Sequence, residues 1–245
     1  MLSKDKKKIL IRGLVISGIA MIFLIITFIM LKYEVEGETK MPFKLTKIST
    51  ISTANGIPNE ETEDVWNFNL VQNNDIYFTF ERTTAAHNIY IERIAMENIT
   101  VLSKPAKGET YFYGPSKEAV DWYDNNPIYR VKNTIEYAGE TESNIKELKV
   151  GNQGGIVGIR YSIENLGTYI SQEDQIKHDG ELLKVIGVEE TDLISEIEFD
   201  LVIELSTGIK YKAKILKTLP MAEVLEEGIS KSEDIELKKI TFKRF

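Results

Sequence analysis

Hydrophobic and polar positions divide the chain into two regimes. From Gly13 to Leu31 nineteen consecutive residues carry no charge, and only Ser17 and Thr27 interrupt the apolar and glycine positions with a hydroxyl. As a helix at ~1.5 Å per residue this run spans roughly 28 Å, the thickness of a bilayer's hydrocarbon core. Arg12 and Lys32 bracket it and can reach opposite head-group layers. The run is longer than the ~7–15 apolar residues of a cleavable signal, and it ends Phe28-Ile29-Met30-Leu31-Lys32 without small residues. The sequence therefore predicts an uncleaved transmembrane signal anchor over 13–31, after a basic stub over 1–12.

Beyond Lys32 the period changes from continuous to alternating. Ile197, Phe199, Leu201, Ile203 and Leu205 alternate with Glu198, Asp200 and Glu204, and Ser206-Thr207-Gly208 supplies a turn. Ile209, Tyr211, Ala213 and Ile215 then alternate with Lys210, Lys212 and Lys214. This predicts an antiparallel hairpin with one face in the core, the acids of one strand lying across from the lysines of the other. Val157, Ile159, Tyr161 and Ile163 predict another strand after the glycine-rich stretch 151–155. Earlier, Trp66, Phe68 and Leu70 precede Asn73-Asn74, and Ile76, Phe78 and Phe80 follow, which reads as a second hairpin.

After each hairpin the two-residue pattern slips by one position. Ile89 and Ile91 give way to Ile94 and Met96, and Ile235 and Leu237 give way to Ile240 and Phe242. Such a slip predicts a β-bulge. Its recurrence raises an internal duplication, although hairpins followed by another strand recur in many β proteins. Helices are few, with short ones expected over 117–123, after Ser116, and over 221–227, before Gly228. The expected fold is mainly β: an N-terminal transmembrane helix followed by two antiparallel, immunoglobulin-like β-sandwich modules over 33–125 and 126–245.

Charge separates the same two regimes. Residues 1–32 hold six basic groups and one acid, and residues 33–245 hold 24 basic and 37 acidic residues, a net of −13 beside a net of +5. Four lysines in the first eight residues abut the apolar run, whereas Lys40 is interleaved with Glu34, Glu36 and Glu38. By the positive-inside rule this places the N-terminus in the cytoplasm and the large domain outside. The acidic body argues against nucleic acid as a partner. It also disfavours polyanionic wall polymers and anionic lipid head groups within a Debye length of ~8 Å. The chain has no cysteine, which excludes disulfides, thiolate zinc sites and cysteine nucleophiles.

No catalytic, cofactor-binding or metal-ligating set emerges. His87 and His178 are the two histidines, and each sits in a turn-like context without a second ligand at metal-binding spacing. Ser143-Asn144-Ile145-Lys146 matches S-x-x-K but lacks the companion motifs of that enzyme class. Residues 151–158 hold four glycines without a nucleotide-binding order. The acidic stretches at 59–64 and 172–174 lack the order and glycine of a calcium loop. Aromatic residues beside Asp and Asn form the most suggestive surface: Tyr111, Tyr113, Trp122, Tyr123, Asp124 and Asn125. They suit a carbohydrate or peptide contact, and they suit the core between two modules equally well.

The stretches Glu36-Gly37-Glu38-Thr39-Lys40-Met41-Pro42-Phe43-Lys44-Leu45 and Asn73-Asn74-Asp75-Ile76-Tyr77 resemble uncharacterised single-pass, β-rich membrane proteins of anaerobic low-GC Gram-positive bacteria. That likeness implies no activity, cofactor or catalytic residue. The expectation is a membrane-anchored extracytoplasmic binding module of the cell envelope, more a binder than an enzyme. Its membrane contact is the 13–31 helix, and an envelope protein or wall ligand is its partner. The alternatives are a carboxylate-dependent envelope hydrolase, or an accessory subunit of a membrane complex.

Overall fold

The computed structural model describes residues 4–32, 41–62, 65–83, 88–114, 129–138, 154–172, 181–220, 223–234, 237 and 240–245. The first element is a single helix, α1 (Lys4–Lys32). Its window Gly13–Met30 has a mean hydropathy of 2.7, and none of it is buried. A core helix of a folded domain would be covered by its neighbours, whereas every side chain of this window is exposed. By length and composition α1 can cross a membrane.

The rest is mainly β. The chain continues through β1 (Phe43–Thr62), β2 (Val65–Arg82), β3 (Ile91–Ser103), β4 (Glu109–Gly114), β5 (Tyr129–Val131), β6 (Thr134–Ala138) and β7 (Gly154–Ser171). Two short helices, α2 (Glu181–Lys184) and α3 (Glu190–Leu193), lead into β8 (Ser195–Leu205) and β9 (Lys210–Leu219). Then come α4 (Val224–Glu227), β10 (Ile229–Asp234) and β11 (Lys243–Arg244). All the strand pairs are antiparallel. The first sheet has the order β10-β1-β2-β7-β4-β5, and the second β11-β9-β8-β3-β6.

The two sheets meet through one apolar core. Phe78 of β2 meets Phe199 of β8 edge to face, with ring centroids 5.7 Å apart, and Phe80 meets Phe242 at 6.3 Å. Such pairs add roughly 0.5–1.5 kcal/mol to their area burial. Each sheet takes strands from both sides of residue 125, so the strands of 33–125 and 126–245 do not form separate sheets. One end of the body is defined by Phe43 opposite Arg82 and by Gly154 opposite Glu81. The second sheet reaches the same end, where Ile91 lies opposite Leu205 and the Ser206 amide donates to the Tyr90 carbonyl.

At the far end the first sheet extends past the second. Strands β1, β2 and β7 have 20, 18 and 18 residues, against 11 and 10 for β8 and β9. The short helices and their loops cover part of this overhang, adding Leu182, Leu183, Leu193, Val224 and Leu225 to the core. Helix α4 ends where Gly228 adopts φ 74° and its amide bonds to the Val224 carbonyl, and its own carbonyl accepts from Ala54 of β1.

The hairpin β8–β9 and its turn follow the sequence pattern, with Glu204 opposite Lys210. The slip after Ile91 is also present: Ile91 pairs with Leu205 but Arg93 pairs with Glu204, so Glu92 is the extra residue and Ile91, Ile94 and Met96 are all buried. The hairpin expected at Asn73-Asn74 requires correction. Strand β2 runs unbroken from Val65 to Arg82, and Phe68, Leu70, Gln72, Asn74, Ile76, Phe78 and Phe80 all turn inward. Gln72 and Asn74 survive in the interior because they bond each other, and Asn74 also accepts from Ser52 Oγ at 2.6 Å. Such a satisfied network removes the cost of burying amides and fixes the strand register. With that hairpin gone, the two-copy pattern loses its first copy. The slip between Ile235 and Phe242 and the 117–123 helix lie partly or wholly outside the described residues.

Candidate functional site

Alternation along β7 points Ile159, Tyr161 and Ile163 into the core and turns Arg160, Ser162 and Glu164 to the outer face of the first sheet. Strand β4 does the same. Phe112 is buried with its ring 5.2 Å from that of Tyr161, while Tyr111 and Tyr113 face outward and are partly covered. The antiparallel register sets Glu109 opposite Glu164, Tyr111 opposite Ser162, and Tyr113 opposite Arg160. It sets Asp75 and Asn73 of β2 on the other side of Arg160 and Ser162, and Arg130 of β5 beside Tyr113.

These residues form one bonded surface. The Tyr111 hydroxyl donates to Glu109 and the Tyr113 hydroxyl to Glu164. The Arg130 guanidinium lies 3.4 Å from the Tyr111 ring centroid and 5.9 Å from that of Tyr113, with Glu164 at 3.6 Å. Arg130 remains 54 % exposed, so a cation on an aromatic face is open to solvent. Beside it, Lys104, Pro105, Gly108, Glu109, Thr110 and Tyr111 line a shallow depression of about 290 Å³. Gly108 is required there: at φ +79° an added Cβ would stand 2.6 Å from the Glu164 carbonyl oxygen.

The floor of the surface is a paired charge that is almost closed to solvent. Arg160 grips Asp75 with both arms, Nε to Oδ1 at 2.6 Å and Nη2 to Oδ2 at 2.9 Å, and the side chains are 12 % and 6 % exposed. Burial pushes the Asp75 carboxyl above its ordinary pKa, and Arg160 pulls in the other direction without cancelling it. Burial works against the charge on Arg160, yet its bond to Asp75 leaves its pKa raised. Ser162 Oγ donates to Asn73 Oδ1 at 2.6 Å. Burial and the bond to Glu164 raise the Tyr113 pKa, and the bond to Glu109 raises that of Tyr111, so both stay neutral hydroxyl donors at physiological pH.

The outer face of the second sheet has a different character. Lys210 pairs with Glu204 at 3.0 Å, Lys212 with Asp200 at 3.6 Å and Lys214 with Glu198 at 2.8 Å, a ladder of mutually compensated charges. Its aromatic neighbour is Phe245, whose ring centroid lies 5.4 Å from Lys212 Nζ.

Of the sequence-derived surface, the structure brings Tyr111 and Tyr113 together on one face; Trp122, Tyr123, Asp124 and Asn125 lie outside the described residues, as do His87, His178 and Ser143–Lys146. Residues 59–62 of the first acidic stretch belong to β1. Among the described residues, no group of three or more His, Cys, Asp or Glu could hold a metal ion. The sequence reading missed Arg130, Arg160, Glu109 and Glu164. Parity alone could have shown Arg160 and Glu164, since both alternate with core residues of β7. Nothing local marks Arg130, whose partners come from β4 and β7.

Together these features define a mainly β protein of two packed antiparallel sheets with an exposed N-terminal apolar helix. No family model, curated protein or solved structure matches the chain.

Proposed function

We propose that this chain is a single-pass membrane protein that displays a β-sandwich on the outside of a bacterial cell as a binding module. The carrying observation is the coupling of two parts. The apolar window Gly13–Met30, of bilayer length, is unburied among the described residues, and a body with its own core begins nine residues after α1, at Met41. Density of lysine over residues 4–8, before the apolar window of α1, holds the N-terminus inside. The Tyr111–Tyr113–Arg130 face is the contact surface, because it joins partly exposed aromatic area to a cation and two carboxylates. A wall glycan or an envelope protein suits that mixture: rings stack on tyrosine, and hydroxyls or amides bond the charged groups.

A photo-crosslinking residue in place of Tyr111, in the full chain in native membranes, tests this reading. An adduct is expected there and not from position 198 on the opposite face. Adducts at both positions, or at neither, would remove the face from the account. The hydrolase reading has one favourable observation, the opposition of Glu109 and Glu164 across β4 and β7. Paired carboxylates at ~5–9.5 Å cleave glycosidic bonds. Release of wall fragments by the chain, abolished by Glu164→Gln, would establish it.

A further inference from the structure

We propose that the end of the body carrying Tyr90, the Ser206–Gly208 turn and Phe245 is a membrane-facing base that rests in the head-group layer of the bilayer holding α1; this rests on the anchored reading above. Three observations carry it. The first is reach. Residues 33–40 separate α1 from Met41, and even fully extended they span no more than about 30 Å. Strand β1 begins next to Met41 and runs away for 20 residues, up to ~60 Å at 3.3 Å each. The tether therefore keeps the Phe43 end near the bilayer and lets the hairpin beyond Ile57 stand far from it.

The second observation is that both sheets present the same end there. Thr83 bonds the Pro42 carbonyl, Arg82 donates to the Ile89 carbonyl, Ser206 bonds Tyr90, and the Phe245 amide donates to Lys210. Residues 41–43, 82–83, 89–90, the β8–β9 turn and the end of β11 thus form one surface among the described residues.

The third is its chemistry. Tyr90 and Phe245 are 41 % and 51 % exposed, and amphipathic aromatic rings favour the interface between head groups and acyl chains. Lys243 and Arg244 stand beside Phe245, while Lys210 is paired with Glu204, and Lys44 lies opposite Glu81 in the register. Glu92 is a further acid at this end, and the tether sequence carries Glu34, Glu36 and Glu38. Lys243 and Arg244 thus put a local positive patch at this end of a body of net −13. Anionic phospholipid is the matching partner.

The absence of native cysteine makes the test clean. Single nitroxides are placed at Thr207→Cys on the base and Ile57→Cys at the far end, in the full chain reconstituted into phosphatidylcholine vesicles with or without phosphatidylglycerol. Accessibility to an aqueous nickel chelate is expected to be severalfold lower at 207 than at 57, more so with phosphatidylglycerol, and to recover in Tyr90→Ser/Phe245→Ser and in Lys243→Glu/Arg244→Glu. Equal accessibility at the two positions in chains that resist carbonate extraction would overturn the base while leaving the anchor intact. Release of the chain by carbonate would overturn both.

Discussion

Removing Arg160 tests how much its buried ion pair with Asp75 stabilises the first sheet. Arg160→Met keeps most of the side chain's length and apolar contact but leaves the Asp75 carboxylate, 6 % exposed, without its cation. Two unit charges ~4 Å apart attract by about 4 kcal/mol at an effective dielectric of ~20. That agrees with the roughly 3–5 kcal/mol lost when a buried pair is left half made. Because a domain of this kind holds only ~5–15 kcal/mol in total, the loss is large. The sign with pH follows from Asp75. Its folded pKa is raised above the unfolded value by burial, so the folded state holds this proton more tightly than the unfolded chain does. Stability from that group is full below the ordinary carboxylate value and falls as pH rises through the raised one. In Arg160→Met the cation no longer opposes burial. The penalty is therefore expected to be small in acid and to grow toward neutrality. Urea unfolding of the full chain in detergent micelles, followed by tryptophan fluorescence from acid to neutral pH, reads this. The companion Asp75→Leu/Arg160→Met is expected to recover most of the loss. A loss under about 1 kcal/mol at neutral pH, or a double variant no better than the single one, would refute the reasoning.

Other consequences are simpler to read. Phe199→Ala, at the contact between sheets, is expected to cost about 3–5 kcal/mol in the same unfolding assay; a loss below 1 would mean the sheets do not share that core. Gly108→Ala is expected to cost about 1–3 kcal/mol and more than Gly208→Ala, whose positive φ faces open space. Lys214→Ala on the exposed ladder is expected to change stability by no more than about 1 kcal/mol, with the difference shrinking in salt. Asp192 accepts from Lys107 and the Glu189 amide, which lower its pKa. Its stabilising contribution is thus present above the ordinary carboxylate value and is lost as pH falls through the lowered one; carboxyl carbon shifts in an NMR titration should show a midpoint below that of a model aspartate.

What the sequence revealed follows the range of the interactions. The β8–β9 hairpin was legible because its alternation, its turn and its cross-strand charges lie within 25 residues of one another. The bulge at Glu92 was legible because a slipped period has one physical remedy. Asn73-Asn74 misled for the opposite reason. Amides in a row signal a turn when only neighbours are considered. Here they are bonded by Ser52, 22 residues earlier, and by Ser162, 89 residues later. Strands on both sides of residue 125 had to be paired before those partners existed. The proposed contact face was half legible for the same reason: Tyr111 and Tyr113 stood out as aromatics, but Arg130 gains its meaning only when β5 docks beside β4.

Protease added to intact spheroplasts producing the full chain with a tag on each terminus is the most direct test of the central claim that α1 anchors an external sandwich. The C-terminal tag and the body are expected to be digested, while the N-terminal tag survives in a small membrane-bound fragment containing Gly13–Met30. A body that resists protease until the membrane is permeabilised would contradict it.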